Sequence, residues 1–188
     1  MLKKPIIQAI ELLFKKVYLY KLQVVMSKHL ILILLLLLCT SGMYAQSIKF
    51  SDLVYFTSLS NGEVYNNLIQ GKAFRQDYTE DENGQELEYF KNIANKPNTE
   101  EIITGSFTKL YDGTKLRTIV YTSTDGQNII NMISQAKRYG LELKFRGTDA
   151  SNNIYLYDNN FYHVSIYLKL DKTSGMVEIK QKELLGLE

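Results

Sequence analysis

Two glutamates in one predicted strand are the first residues of this sequence whose spacing could support chemistry. Glu86 and Glu88 lie two residues apart, so in a strand they share one face at a separation of about 7 Å. Paired carboxylates at roughly 5–10 Å can cleave glycosidic bonds. Because the solvent face of any acidic strand has the same spacing, the pair indicates an exposed strand face before it indicates a hydrolase.

Histidine catalysis would have to use His163, because the other histidine, His29, precedes the predicted domain. An imidazole suits general base catalysis near neutral pH, but no G-x-S-x-G motif accompanies it. Alternation along its strand predicts a core face formed by Tyr162, Val164, Ile166, Leu168 and Leu170. His163 falls on the opposite, more polar face, which favours a surface histidine.

Aromatic side chains are the remaining candidates for recognition. Phe161 and Tyr167 fall on the same polar face as His163, where their rings could contact a ligand. Strands favour aromatic residues for packing alone, and the chain contains no Trp, which weakens a carbohydrate-stacking interpretation. Phe161 and Tyr167 are therefore weak candidates for a binding surface.

Residues 26–45 have the pattern of a cleavable signal peptide. Lys28 and His29 form a short basic start, and residues 30–39 are an unbroken apolar run. Ala45 suits the position before the cleaved bond, so a single domain over 46–188 would remain in the periplasm or outside the cell. A spanning helix needs about 20 apolar residues, so we expect cleavage instead of a retained membrane anchor.

The segment before this signal peptide, residues 1–25, has two interpretations. Five lysines between apolar residues would form a basic amphipathic helix that could lie on a membrane surface. Alternatively, translation begins at Met26 and the start is incorrectly assigned, which is the interpretation we favour. Cys39 could be a lipidation site, but Leu38 stands where lipoprotein signal peptides usually carry a small residue.

Cleavage would change both the charge and the chemistry of the domain. Six of the 22 basic residues and one of the 20 acidic residues precede Gln46, which leaves 16 basic and 19 acidic residues. A net charge of −3 argues against a nucleic-acid binder, which usually carries a basic face. Cys39 is the only cysteine, so the domain has no disulfide and no thiolate ligand for a metal.

Short strands and two helices are predicted for the domain. Ser60 and Glu63 have capping-box spacing for a helix that ends near Gly71. Asp125 or a neighbouring hydroxyl can cap a second helix that ends near Tyr139. Strands are predicted over 53–57, 73–79, 85–93, 101–111, 114–122, 141–146, 153–157, 161–170 and 176–181. Asn-Gly at 83–84 and Asp-Gly at 112–113 indicate hairpins.

The chain contains a repeated pattern at an offset of 65–66 residues. The matched pairs are Val54 and Val120, Tyr55 and Tyr121, Val64 and Ile129, Leu68 and Ile133, Lys72 and Lys137, and Phe74 and Tyr139. They predict β-α-β(3–4) units over about 48–95 and 115–182, and an α+β fold with two helices packed on an antiparallel sheet. This order resembles the duplicated β-α-β4 pattern of TATA-binding-protein-like folds and the helix-on-sheet modules of bacterial periplasmic proteins. The resemblance concerns the fold and implies no functional residues.

Export, the lack of a catalytic motif and the repeat favour a non-enzymatic binding or interaction module of the bacterial envelope. Such a module would present one broad sheet face to a protein or an envelope polymer, and we expect no cofactor, no metal and no nucleic acid. A hydrolase that acts on envelope polymers through Glu86, Glu88 and His163 is one alternative. An inhibitor or immunity-type protein is another.

Overall fold

The computed structural model describes residues 48–72, 74–93 and 98–183, and in them an α+β domain of three helices and nine strands. The helices are α1 (Phe50–Thr57), α2 (Asn61–Asn66), which continues as a π-helical turn over Asn67–Gly71, and α3 (Gly126–Arg138). The strands are β1 (Phe74–Glu82), β2 (Gln85–Asn92), β3 (Glu100–Thr104), β4 (Phe107–Lys109), β5 (Lys115–Ser123), β6 (Glu142–Thr148), β7 (Asn152–Asp158), β8 (Tyr162–Lys169) and β9 (Gly175–Gln181). The predicted leader over 1–25 and the signal peptide over 26–45, with Cys39, lie outside the described residues.

The strands form one antiparallel sheet in the order β1-β2-β3-β5-β9-β8-β7-β6, and the short β4 pairs with the start of β5. Each half of this order is a meander that follows a helical segment, since β1 to β5 follow α2 and β6 to β9 follow α3. The last strands of the two meanders, β5 and β9, pair at the centre of the sheet. The edges of the sheet are therefore β1 and β6.

The helices cover one face of the sheet, and the hydrophobic core lies between them and that face. Register partners in neighbouring strands form a fully buried row of Phe90, Ile102, Tyr121, Val177 and Ile166. Helix side chains complete the core, among them Leu53, Val54, Val64, Leu68, Ile129 and Met132. Each large apolar side chain buried in this way stabilises the fold by about 1.5–3 kcal/mol.

Residues 53–57 belong to α1, so the strand predicted there is wrong. Their β-prone composition favours extended structure, but Phe50, Leu53, Val54 and Thr57, which have helical spacing, are all buried. Burial against the sheet outweighs the local preference. The described residues therefore contain three helices where two were predicted, and Val54 lies in a helix while its matched residue, Val120, lies in a strand.

The single strand predicted over 101–111 is also wrong, because the chain breaks it at Gly105. This glycine has φ +95°, and a Cβ added to it would lie 2.1 Å from the carbonyl oxygen of Glu86. A side chain does not fit so close to the backbone of β2. The segment therefore divides into β3, which pairs with β2 and β5, and β4, which pairs with β5.

Strand β6 departs from the predicted alternation of buried and exposed residues. Leu141 is buried, but Leu143 and Phe145 are 41% and 50% exposed. A bulge at Lys144 places these two residues on opposite faces of the sheet, and β6 is an edge strand that pairs with β7 alone among the described strands. Leu170 is likewise exposed, because β8 ends at Lys169.

The local turn and cap predictions are confirmed. Asn83 and Gly84 have φ values of 55° and 76° and join β1 to β2. The backbone N–H of Glu63 donates to the Ser60 hydroxyl at 3.4 Å, and the N–H of Ser60 donates to the Glu63 carboxylate at 2.8 Å. Asp125 caps α3 by accepting a hydrogen bond from the N–H of Gln127 at 3.0 Å.

Candidate functional site

The first candidate surface is the sheet face opposite the helices, which we call the open face. One row of register partners crosses it from edge to edge. Along most strands, a residue of this row is the sequence neighbour of a residue in the buried row. The members of the open-face row are Tyr78, Tyr89, Ile103, Val120, Glu178, Ser165, Leu156 and Phe145. Six of the eight are apolar or aromatic, and Tyr78 and Phe145 at the two ends are about half exposed.

Two tyrosines are stacked at the β1 end of this row. The rings of Tyr78 and Tyr89 lie 4.1 Å apart between centroids, with an angle of 14° between their planes. The hydroxyl of Tyr89 donates to the Glu80 carboxylate at 3.3 Å. Burial, with the nearby charge of Glu80, raises the pKa of Tyr89 to about 12. The phenol therefore stays neutral at physiological pH and serves as a hydrogen-bond donor.

Glu86 and Glu88 lie together on β2, on the side of the sheet that carries Phe90 and the helices. Glu86 is exposed and Glu88 is half-buried, and the hydroxyl of Thr104 donates to Glu88 at 3.3 Å. Burial raises the pKa of Glu88, and the charge of Glu86 adds to the rise. A raised pKa suits a general acid, but nothing else in the described residues joins this pair to form a catalytic group.

His163 lies on the open face and is largely exposed. Its Nδ1 atom is 3.1 Å from the Asp158 carboxylate, which also accepts a hydrogen bond from Lys182 at 3.1 Å. Glu88 faces the other side of the sheet, and four strand spacings, about 19 Å, separate β2 from β8. Among the described residues no serine hydroxyl hydrogen-bonds to His163. The three predicted catalytic candidates therefore do not form one site.

Phe161 and Tyr167 lie at opposite ends of β8. Phe161 is 53% exposed in the turn between β7 and β8, beside a cavity of about 510 Å³ that Leu110 and Leu116 also line. Tyr167 is half-buried on the open face, six residues and about 20 Å further along the strand. The two predicted binding candidates therefore belong to different surfaces.

Tyr167 borders a groove of about 490 Å³ at one end of the open face. Six neighbouring strands, from β2 to β7, contribute to it, so it runs roughly 24 Å across the sheet. Its lining residues include Lys91, Glu101, Thr122, Met176, Lys169 and Asn152. Sequence reasoning missed this groove because its residues come from distant segments, and only the strand alternation indicates which of them face outward.

Neither a cluster of metal ligands nor a membrane-spanning helix is present in the part of the chain that the structure describes. There, no three carboxylate or imidazole side chains gather closely enough to hold a metal ion. No helix within the same residues has the length and apolar character needed to span a bilayer.

Comparisons of the chain with protein-family models, with curated proteins and with solved structures find no match.

Proposed function

We propose that this protein is an exported, non-enzymatic binding module of the bacterial envelope that holds its partner on the open face. The observation that carries the proposal is the apolar row that crosses the open face, which none of the described helices covers, from Tyr78 to Phe145. Isolated apolar residues are normal on a protein surface, whereas contiguous ones usually mark interaction sites. The row also makes no contribution to the core, which lies on the other side of the sheet.

Export is part of the same proposal. The basic start, the apolar run and Ala45 support cleavage before Gln46, and the mature domain would then act in the periplasm or outside the cell. The partner would be a protein or a polymer of the envelope. With the catalytic candidates on different surfaces, no observation favours the hydrolase, and none singles out an inhibitor.

We also infer that the open face arose by internal duplication, at an offset of 67 residues instead of 65–66. At this offset the equivalent pairs are Phe74 and Leu141, Asp77 and Lys144, Tyr78 and Phe145, Tyr89 and Leu156, and Phe90 and Tyr157. Both edge strands have their bulge at the same place, at Asp77 in β1 and at Lys144 in β6. A duplicated meander would give the open face two similar apolar patches, one in each half.

The proposal is tested by co-sedimentation of the purified protein with envelope fractions from its own organism. Val120→Arg and Leu156→Arg place a charge in the apolar row, and we expect each to reduce binding at least tenfold, as loss of an interface centre does. Ser134→Arg adds the same charge on the exposed outer side of α3 and serves as the matched control. Each variant is first checked for an unchanged far-UV circular dichroism spectrum.

Two results would contradict binding of the partner on the open face. One is wild-type binding by both row variants, and the other is an equal loss in Ser134→Arg, which would indicate a general charge effect instead of a surface-specific one.

A further inference from the structure

We propose that the groove beside Tyr167 binds a short, neutral oligosaccharide that lies across the strands. This inference rests on the proposed function and makes it more specific, since it selects a glycan over a protein as the partner. It also moves the centre of recognition from the whole open face to one end of it.

The floor of the groove is apolar, and its walls carry hydroxyl groups. Tyr167 and Met176 are register partners on β8 and β9, and both line the groove. Within the described residues, the side-chain hydroxyls of Thr122, Ser174 and Tyr167 make no hydrogen bond, and all three line the groove. Such hydroxyls can both donate and accept. A sugar ring has the matching chemistry, with apolar C–H faces and hydroxyls around its edge.

The charges around the groove favour a neutral ligand. Lys91 and Lys169 line the groove with three carboxylates, those of Glu101, Asp149 and the buried Glu100, and Lys91 lies 3.6 Å from Glu101. The Asp149 carboxylate already accepts hydrogen bonds from the backbone N–H groups of Ser151 and Asn152, so part of its hydrogen-bonding capacity is used within the protein. Neither sign of charge dominates, which disfavours polyanions such as nucleic acids, whose binding depends on a basic surface.

The backbone around the groove disfavours an extended peptide. Peptides that bind sheets usually add a strand to an unpaired edge and gain main-chain hydrogen bonds. All six strands of the groove are interior strands with a partner on each side, and the edges β1 and β6 do not contribute to it. A ligand in the groove must therefore be recognised by side chains alone, as a sugar chain can be. The groove spans six strands, so several sugar units can lie along it.

The absence of Trp sets the expected strength of binding. Tyr167 offers a smaller stacking surface than an indole, so its contribution must be combined with that of the hydroxyls and of Met176. Removing the ring should consequently have a larger effect than removing any single hydroxyl.

The experiment is isothermal titration calorimetry of the purified protein with three neutral oligosaccharides: cellohexaose, chitohexaose and maltohexaose. We expect at least one probe to bind, and Tyr167→Ala to weaken that binding about tenfold. Tyr167→Phe and Thr122→Val, which remove one hydroxyl each, should weaken it several-fold. Ser134→Ala is the matched control, because it removes a hydroxyl from the exposed side of α3, outside both the groove and the open-face row, and it should change binding less than twofold.

The inference is overturned if no probe binds the wild-type protein, or if Tyr167→Ala binds as tightly as the wild type. Binding to envelope fractions distinguishes a failure of the oligosaccharide proposal from a failure of the proposed function. Envelope binding that is lost after protease treatment of the fraction, and retained by Tyr167→Ala, would mean a protein partner on the open face and no glycan site. Envelope binding that survives protease but is lost on glycan digestion supports the oligosaccharide.

Discussion

Replacing Gly105 with alanine tests how the break between β3 and β4 is fixed. Gly105 has φ +95°, a conformation that costs an alanine about 1–2 kcal/mol. Its added Cβ would also lie 2.1 Å from the carbonyl oxygen and 3.0 Å from the carbonyl carbon of Glu86, and 3.2 Å from the α-carbon of Leu87. Non-bonded heavy atoms prefer separations of about 3.5–4.0 Å, so the backbone of β2 must move by more than 1 Å. Such overpacking costs about 1–3 kcal/mol.

Gly105→Ala should therefore lower the free energy of unfolding by about 2–5 kcal/mol. The matched control is Gly113→Ala, because Gly113 has φ +89° but no atom within 4 Å of the added Cβ. The control has the conformational cost alone, about 1–2 kcal/mol.

Urea unfolding followed by far-UV circular dichroism gives both free energies. The difference between the two variants then measures the contact with β2. Equal losses for Gly105→Ala and Gly113→Ala would refute the reasoning, since they would show that the close approach to Glu86 has no energetic consequence.

Further predictions concern the core, the helix cap and the two perturbed carboxyl groups. Phe90→Ala should lower the free energy of unfolding by about 3–5 kcal/mol, whereas Phe145→Ala, on the exposed edge strand, should change it by less than about 1 kcal/mol in the same urea titration. Ser60→Ala should cost about 1 kcal/mol through loss of the α2 cap. The hydrogen bond from Ser60 lowers the pKa of Glu63, so the wild type gains stability above the unfolded carboxyl pKa and loses it as pH falls through the folded pKa. Urea titrations between pH 2 and 7, a range around the ordinary carboxyl pKa of about 4.3, measure this loss. The free energy of unfolding of Ser60→Ala should fall less at acid pH than that of the wild type. The opposite sign applies to Glu88, whose raised pKa means that stability is lost as pH rises through the folded value. Glu88→Gln should therefore gain stability relative to the wild type between pH 4 and pH 7, and a constant difference would contradict the burial of Glu88.

The features that could be predicted from sequence are those that neighbouring residues determine. The Asn83-Gly84 turn, the Ser60–Glu63 box and the Asp125 cap each need only a few residues in sequence, and each is present. The buried face of β8 also follows the predicted alternation at Val164, Ile166 and Leu168. In these cases local chemistry and the tertiary fold favour the same conformation.

The features that could not be predicted depend on contacts between distant segments. α1 is helical because its buried face packs against the sheet, and Gly105 breaks a strand because β2 passes within contact distance of it. Strand register was equally inaccessible, and it alone decides that Tyr167 and Met176 are neighbours and that Glu88 and His163 face opposite sides. The groove therefore could not be derived from one-dimensional spacing, although Tyr167 was among the predicted candidates.

The two sheet edges explain why association is expected on the open face instead. An unpaired edge strand invites another chain to add to it, and proteins commonly block this with bulges and charged side chains. Both edges here have a bulge, and the bulged residue is charged and held by an ion pair, Asp77 to Lys91 in β1 and Lys144 to Glu142 in β6. Strand addition is thus disfavoured at both ends of the sheet. The apolar row between them carries no such protection, since only Glu178 interrupts it with a charge and Glu178 is paired with Lys180. A sheet whose two edges are blocked and whose open face carries one apolar row is consistent with the proposed module, which would bind through that face.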